Sequence, residues 1–143
     1  MFMLDEKMIA HLIEMATEQL KISYAPYSGF KVGAALLTKS GKIYTGCNIE
    51  NAAYTPTNCA ERTAFFKAVS EGKKDFSAIA ICGGKDGVIE GLFPPCGVCR
   101  QVMREFCEDD FEIYLLTQDG IESYTLCQLL PVSFQPDTIR KDS

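Results

Sequence analysis

The sequence contains no tryptophan, a single histidine and no apolar run approaching the length of a membrane span. A helix needs roughly 20 mostly apolar residues to cross a bilayer, so we expect no membrane-spanning helix. The single histidine, His11, falls within the pattern of a predicted first helix, and no metal-binding motif surrounds it. We therefore expect His11 to be a surface or interface residue rather than a metal ligand or a catalytic base.

An excess of basic residues is also lacking. The chain has 14 Lys and Arg against 19 Asp and Glu, a formal net charge of −5, and no visible basic cluster. Nucleic-acid-binding proteins neutralise phosphates with clustered basic side chains, so we expect no nucleic-acid partner. The first residues show no basic segment followed by an apolar core. We therefore expect a cytoplasmic protein in which the seven cysteines remain reduced.

The chain is long enough for one domain with a buried core. It has 143 residues, 47% of them hydrophobic, and no repeat or linker, so we predict a single domain over residues 1–143. The alternation of helical and strand patterns predicts an α/β fold of the helix-sheet-helix sandwich type. The predicted helices are one after Asp5, one from Cys59 to about residue 72 and one from Cys96 to about residue 106; the predicted strands are 31–38, 42–47, 78–82, 112–116 and 122–125.

One glycine-rich segment, Gly83-Gly84-Lys85-Asp86-Gly87, has the composition of a phosphate-binding loop. It lacks the Gly-Lys-Ser/Thr ending and no helix follows it, so we expect an ordinary flexible loop instead.

The most informative feature is Cys59-Ala60-Glu61, followed at a distance by Pro94-Pro95-Cys96-Gly97-Val98-Cys99. Structural zinc sites close with four Cys or His ligands, whereas catalytic sites keep one position for water. Three thiols leave that position open. If both cysteine segments begin helices, the positive helix N-termini favour the thiolate forms that bind zinc.

The residues after Cys59 supply the other groups that such a centre needs. Glu61 is long enough to reach a water on zinc and transfer its proton, although its spacing from Cys59 permits this role without proving it. Three thiolates donate much negative charge to the metal and blunt its Lewis acidity. Arg62 is the candidate to offset that charge by donating to the thiolates.

Other interpretations of these cysteines exist. A Cys-x-x-Cys pair alone is equally consistent with a thioredoxin-like redox pair, half of a structural zinc knuckle, or chance. The upstream Cys-Ala-Glu favours a catalytic zinc centre strongly, because this combination is the signature of zinc-dependent nucleoside and nucleobase deaminases, of which a three-cysteine form exists.

Further segments extend the likeness over most of the chain. They are Tyr24 to Leu36, Gly46 to Tyr54, and Leu129-Leu130-Pro131 with Phe134. With the zinc motif they resemble the cytidine deaminases, specifically the small homotetrameric type that acts on free nucleosides. The Asn-x-Glu-Asn stretch beginning at Asn48 distinguishes this type from the polynucleotide, deoxycytidylate and blasticidin deaminases, which lack it.

The resemblance implies a mixed sheet of about five strands with both zinc-bearing helices on one face. It also implies one zinc per chain on Cys59, Cys96 and Cys99, with Glu61 as the acid and base.

For the substrate, the resemblance implies that Asn48 and Glu50 bind a ribose hydroxyl, that the Ala60 N–H binds the pyrimidine 2-oxygen, and that Phe30 packs on the ring. From the residues alone, Asn48 and Glu50 are also consistent with a turn and Phe30 with an ordinary core position. By the same resemblance, Phe134 closes the pocket of a neighbouring subunit.

The implied reaction is hydrolytic deamination of cytidine and deoxycytidine in pyrimidine salvage, without an organic cofactor. A blasticidin-type or other aminopyrimidine deaminase, a structural zinc protein and a thiol-redox protein remain alternatives at this point.

Overall fold

The computed structural model describes residues 4–140. This part of the chain contains five helices and five strands, and a short 3₁₀ turn at Gln19–Lys21 follows the first helix. In chain order they are α1 (Glu6–Glu18), β1 (Phe30–Thr38), β2 (Ile43–Cys47), α2 (Ala60–Ser70), β3 (Phe76–Lys85), α3 (Gly97–Phe106), β4 (Glu112–Thr117), β5 (Gly120–Thr125), α4 (Leu126–Leu129) and α5 (Pro136–Ile139).

The strands form one mixed sheet in the order β2-β1-β3-β4-β5. The pair β3 and β4 is parallel, and every other neighbouring pair is antiparallel. The crossover between the parallel strands contains α3, as a parallel connection requires. The predicted hairpin of β1 and β2 and the mixed sheet of about five strands are confirmed.

Helices cover both faces of this sheet. Helix α1 packs through Ile9, Leu12 and Ala16 on one face. Helices α2 and α3 pack on the other, where Phe65 and Met103 are fully buried in the larger core cluster. Strand β1 is buried along nearly its whole length because it is covered on both faces. The predicted helix-sheet-helix sandwich is therefore confirmed.

The helix boundaries follow local chemistry. The Asp5 carboxylate accepts the Met8 N–H at 2.8 Å and so caps α1. Helix α2 begins directly after Cys59 and α3 directly after Cys96, and both cysteines have extended backbone at the cap position. Gly72, with φ +88°, lies two residues beyond the end of α2 and ends it as predicted.

The expectation of a flexible loop at residues 83–87 is wrong for its first part. Gly83, Gly84 and Lys85 belong to β3 and pair with residues 30–32 of β1. The long β1 supplies hydrogen-bond partners that extend β3 through the glycines, although strands disfavour glycine in isolation. Only Asp86 and Gly87 turn, both with positive φ.

The single histidine and the cysteines outside the zinc motifs differ in their exposure to solvent. His11 is exposed on α1, as predicted for a surface residue. Cys47, Cys82 and Cys107 are buried, whereas Cys127 is exposed. Within residues 4–140, no helix is long and apolar enough to cross a membrane.

Gly46 in β2 brings α2 close to the sheet. A Cβ atom at this position would lie 2.4 Å from the Ala60 carbonyl oxygen and 2.7 Å from the Ala64 backbone nitrogen. Both are backbone atoms and cannot rotate away. The first turn of α2, which carries Ala60 and Glu61, therefore rests on a position that only glycine fits.

We predict that Gly46→Ala lowers the free energy of unfolding by about 1–3 kcal/mol or more, because the added methyl group displaces α2 from the sheet. Denaturant unfolding measures this effect. Gly97→Ala is the matched control, since no atom lies within 4 Å of its Cβ position. Equal unfolding midpoints for the two variants would contradict this account of Gly46.

Candidate metal centre and substrate cavity

Three thiols converge at one point of the structure. The Cys59 and Cys96 sulfurs lie 3.7 Å apart, and those of Cys96 and Cys99 lie 3.4 Å apart. All three sulfurs lie within 4.8 Å of one another, so the cluster can hold a metal ion. Tetrahedral zinc with Zn–S bonds of about 2.3 Å places neighbouring sulfurs about 3.8 Å apart, which fits these separations.

Two helix N-termini build this cluster. Cys59 and Cys96 are the cap residues of α2 and α3, and Cys99 is the third residue of α3. The Cys99 N–H donates to the Cys96 sulfur at 3.5 Å. Unpaired N–H groups and the partial positive charge at both helix ends face the thiols, which favours their thiolate forms.

The backbone conformation of Cys59 explains how Glu61, only two residues later, can lie beside the thiols. Residues two apart on a regular helix point to different sides, but Cys59 has φ −77° and ψ 156° and is not helical. Glu61 is therefore free to lie beside the thiols from the second position of α2. Its side chain interacts with both Cys59 and Cys99 and is only 4% exposed.

Burial raises the pKa of Glu61 to about 7, and the negative charge of Cys59 adds to this effect. A hydrogen bond from its own backbone N–H, the charge of Arg62 and a hydrogen bond from Cys99 act in the opposite direction. A carboxyl group that titrates near neutral pH can both accept and release a proton, which suits general acid and base catalysis.

Arg62 donates to a thiol of the cluster, as its position in the sequence predicted. Its Nη2 donates to the Cys59 sulfur at 3.3 Å. Burial lowers the pKa of Arg62, but interactions with Cys59 and Cys99 raise it overall. The guanidinium therefore offsets part of the negative charge of the thiols and holds Cys59 in place.

The thiols are electrostatically unequal. A hydrogen bond from Cys99, with further donors in Arg62 and Cys96, lowers the pKa of Cys59 to about 5. The same interaction with Cys59, together with burial, raises the pKa of Cys99. Cys59 thus ionises more readily than Cys99, and metal binding would require the Cys99 thiol to lose its proton as well.

A cavity of about 240 Å³ opens beside the thiols. Its lining includes most of the predicted site residues, from the ends of β1 and β2, the start of α2 and the segment before α3. The lining residues are Ser28, Phe30, Val32, Asn48, Glu50, Thr57, Asn58, Cys59, Ala60, Glu61, Phe93, Pro94 and Cys96. Another cavity, of about 330 Å³, lies at the opposite end of the sheet and contains none of the three thiols.

Asn48 and Glu50 both line this cavity and also organise the segment before β1. Asn48 Oδ1 accepts the Val32 N–H at 2.9 Å and the Ser23 hydroxyl, and its Nδ2 donates to the Phe30 carbonyl at 2.7 Å. Glu50 accepts the N–H groups of Tyr27 and Ser28 at 3.0 and 3.1 Å. Neither residue lies in a turn: residues 48–50 are extended, with Ile49 bridged to Tyr24 and Asn58, and both side chains line the cavity while binding backbone groups remote in sequence.

Phe30 and Ala60 both line the cavity. The Phe30 ring is 44% exposed, so it is not an ordinary core residue, and its centroid lies 6.0 Å from that of Phe93. Ala60 is the first residue of α2, so its N–H has no partner within the helix and is available to an acceptor in the cavity.

Phe134 does not join the other predicted site residues in this chain. It is 58% exposed, it is not among the residues that line the cavity, and its carbonyl oxygen accepts a hydrogen bond from Gln101 Nε2 at 2.8 Å. Its assigned role in the pocket of a neighbouring subunit stays a prediction.

Sequence reasoning missed several residues that shape the site. Asn58 Nδ2 donates to the Thr63 hydroxyl at 3.1 Å, and that hydroxyl lies 3.1 Å from the carbonyl oxygens of both Cys47 and Cys59. Phe93 also lines the cavity, and its ring packs against that of Phe30. Their nearness to the cysteine motifs was the available signal, since Asn58 precedes Cys59 and Phe93 precedes Pro94.

Comparison with known proteins agrees with this geometry. Residues 6–115 match the family model of the cytidine and deoxycytidylate deaminase zinc-binding region. The chain belongs to this family. The matched region contains the three clustered thiols and Glu61, and it ends before Phe134. The family is therefore zinc-binding, and Cys59, Cys96 and Cys99 form a cluster that can hold the metal.

Individual relatives are similar over most of their length. A cytidine deaminase of Sporosarcina psychrophila is 50% identical over 135 residues, covering 94% of this chain and 93% of the relative. The crystal structure of a cytidine deaminase from Burkholderia pseudomallei superposes with a TM-score of 0.80 at 45% identity, covering 87% of this chain and 98% of that one. A blasticidin-S deaminase of Bacillus cereus is 32% identical, covering 86% and 89%.

We predict one zinc ion per chain, lost or greatly weakened in each of Cys59→Ala, Cys96→Ala and Cys99→Ala, because each variant removes one of three ligands. Elemental analysis after dialysis against a weak chelator measures this. Cys127→Ala is the matched control, being an exposed thiol outside the cluster. Full zinc content in all three cluster variants would refute the ligand assignment.

Proposed function

We propose that this protein is a zinc-dependent cytidine deaminase that converts cytidine and deoxycytidine to uridine and deoxyuridine with release of ammonia. The observation that carries the proposal is the buried Glu61 carboxyl beside the thiol cluster in the wall of one cavity. Membership of the deaminase family and 50% identity to a cytidine deaminase support it.

The metal would be held by Cys59, Cys96 and Cys99. When bound, zinc acts as a Lewis acid that lowers the pKa of a water molecule and so makes it a nucleophile at neutral pH. Arg62 offsets the charge of the ligands, and the two helix N-termini favour thiolate over thiol.

Glu61 would carry the protons of the reaction. Ionised, it accepts a proton from water and delivers it to N3 of the pyrimidine, which makes C4 electrophilic. Water oxygen forms the new bond to C4. Glu61 then passes the second proton of that oxygen to the amino nitrogen, and the C4–N bond breaks to release ammonia. The balance is one water consumed and one ammonia released for each cytidine.

The remaining predicted residues would hold the nucleoside. The Ala60 N–H donates to the 2-oxygen, and Phe30 packs on the ring. Asn48 and Glu50 bind a ribose hydroxyl. Polar groups arranged around that hydroxyl are left unpaired by a bare base, so cytosine should be a poor substrate.

The alternatives have less support. Blasticidin deaminase is similar at 32% identity, against 50% for the cytidine deaminase relative. A thiol-redox protein would use Cys96 and Cys99 and has no need of Cys59. A structural zinc protein has no need of a buried carboxyl such as Glu61 beside three thiols.

The direct test is the fall in ultraviolet absorbance of cytidine on addition of purified protein containing zinc. Uridine and ammonia should form in equal amounts, and blasticidin S and free cytosine should react far more slowly. A zinc-loaded, folded protein that leaves cytidine unchanged would overturn the proposal. Faster deamination of blasticidin S would assign the protein to that other group.

We predict that Glu61→Gln keeps the fold and zinc but lowers kcat by about 10²- to 10⁴-fold or more, because an amide cannot transfer protons. Glu71→Gln is the matched control, because Glu71 lies at the opposite end of α2 and forms only an exposed ion pair with Lys42 at 3.5 Å. Steady-state kinetics on cytidine measures both variants. A kcat within a few-fold of wild type for Glu61→Gln would exclude it as the proton carrier.

We further propose that residues 1–143 form one catalytic domain, that the enzyme acts in pyrimidine salvage in the cytoplasm, and that it is a homotetramer with shared active sites. Phe134 is exposed and outside its own chain's cavity lining, which supports a position in a neighbouring subunit's pocket. An aromatic ring from a neighbour would help to exclude water from the site.

Complementation tests the shared site. We predict that Glu61→Gln and Phe134→Ala are each impaired alone, and that mixed oligomers of the two exceed the mean activity of the parents. In such oligomers, some sites combine an intact Glu61 with an intact Phe134 from the neighbour. Mixed oligomers without this gain would return Phe134 to its own subunit or remove it from the site.

A further inference from the structure

Lys85 occupies a distinctive place at the edge of the substrate cavity. It is the last residue of β3 and lies directly opposite Phe30 of β1 in the antiparallel register. Directly opposed residues project from the same face of the sheet, so their side chains meet. Lys85 is exposed and does not line the cavity, whereas Phe30 does.

The ammonium group of Lys85 makes two contacts with the segment that leads into β1. Its Nζ donates to the Ser28 carbonyl oxygen at 2.7 Å and lies 5.3 Å from the centroid of the Phe30 ring. The first contact is a charge-assisted hydrogen bond, and the second is a cation–π interaction. One side chain thus restrains both the backbone before Phe30 and the ring itself.

Glu50 holds the same segment from the other side. Its carboxylate accepts the N–H groups of Tyr27 and Ser28 and the hydroxyl of Ser28. The Ser28 hydroxyl bond contributes most to the lowered pKa of Glu50, and the charge of Lys85 contributes a smaller part. The segment 27–30 therefore lies between an anion that binds its N–H groups and a cation that binds its carbonyl.

The backbone is shaped to admit Lys85. Gly29 has φ +76°, and a Cβ atom there would lie 2.7 Å from Lys85 Nζ, so glycine leaves the space that the ammonium occupies. The Asp86 N–H also donates to the Gly29 carbonyl oxygen at 2.7 Å. The end of β3 is thus joined to this segment by both side chain and backbone.

We propose that Lys85 is a positioning residue for nucleoside binding, which orients the Phe30 ring and the Glu50 carboxylate toward the substrate by holding the segment 27–30 between them. This proposal rests on the proposed function, since Phe30 and Glu50 are its assigned substrate contacts. Lys85 acts on the binding of the nucleoside and lies apart from the thiol cluster and Glu61.

The structure contains a matched control for this arrangement. Lys42 Nζ lies 5.1 Å from the centroid of the Tyr44 ring and 3.5 Å from a carboxylate oxygen of Glu71. Like Lys85, it places an ammonium group beside an aromatic ring and an oxygen acceptor, here directly before β2, and neither Lys42 nor these partners line the substrate cavity. Lys42→Met therefore measures how KM changes when a lysine that contacts an aromatic ring and an oxygen acceptor is lost away from the cavity.

Steady-state kinetics of Lys85→Met, Lys85→Arg and Lys42→Met on cytidine tests the proposal. We expect Lys85→Met to raise KM by about three- to tenfold with kcat within about twofold of wild type, from the loss of one charged hydrogen bond and one cation–π contact. Lys85→Arg keeps the charge and the donors and should restore most of the affinity. Lys42→Met should leave KM unchanged.

Amide hydrogen exchange supplies a readout that does not depend on turnover. We expect faster exchange at residues 27–30 in Lys85→Met than in wild type or Lys42→Met, with equal thermal midpoints for the two methionine variants. Unchanged exchange there, or a KM equal to that of Lys42→Met, would overturn the role of Lys85. If wild type failed to deaminate cytidine, the proposed function would fail, and exchange would still decide whether Lys85 holds the segment.

Discussion

Mutual repulsion among three sulfur ligands is the constraint on which the site depends. Thiols that must ionise to bind a metal repel one another, and the fold counters this with positive charge from several sources. Helices α2 and α3 both direct their N-termini at the cluster, and Arg62 donates to Cys59 from the side. The sheet makes this possible, because it carries both helices on one face with their first turns at the same end.

The substrate side of the cavity depends on a second set of contacts, made mostly by the chain with itself. Asn48 and Glu50 bind the backbone of residues 27–32, and residue 49 pairs with residue 58 just before the first cysteine. Asn48 and Glu50, which are assigned to the ribose, are thereby connected through backbone pairing to the segment that carries the assigned metal ligand Cys59. These bonds join the segment before β1 to the strand-like residues that lead to Cys59.

Periodicity and motif spacing predicted much of this structure, for identifiable reasons. The amphipathic α1, the hairpin of β1 and β2, and the helix starts at Cys59 and Cys96 all depend on local chemistry such as caps, turns and alternation. The prediction failed at Gly83 and Gly84, where the pairing partner in β1 lies some 50 residues away in sequence and outweighs local preference. The role assigned to Phe134 concerns a contact between subunits and stays a prediction.

The sequence by itself determined which chemical groups are present and which of them act together. Three cysteines in two short motifs, one carboxylate and one guanidinium beside the first cysteine are enough to define a deaminase-type centre. The tertiary structure alone decided the arrangement of these groups. Cys59 has extended backbone, which lets Glu61 share its side of α2, and Lys85 lies against Phe30 across two strands. These contacts arise from strand register and helix packing, which bring together residues that are far apart in the sequence. No local sequence pattern therefore predicts them.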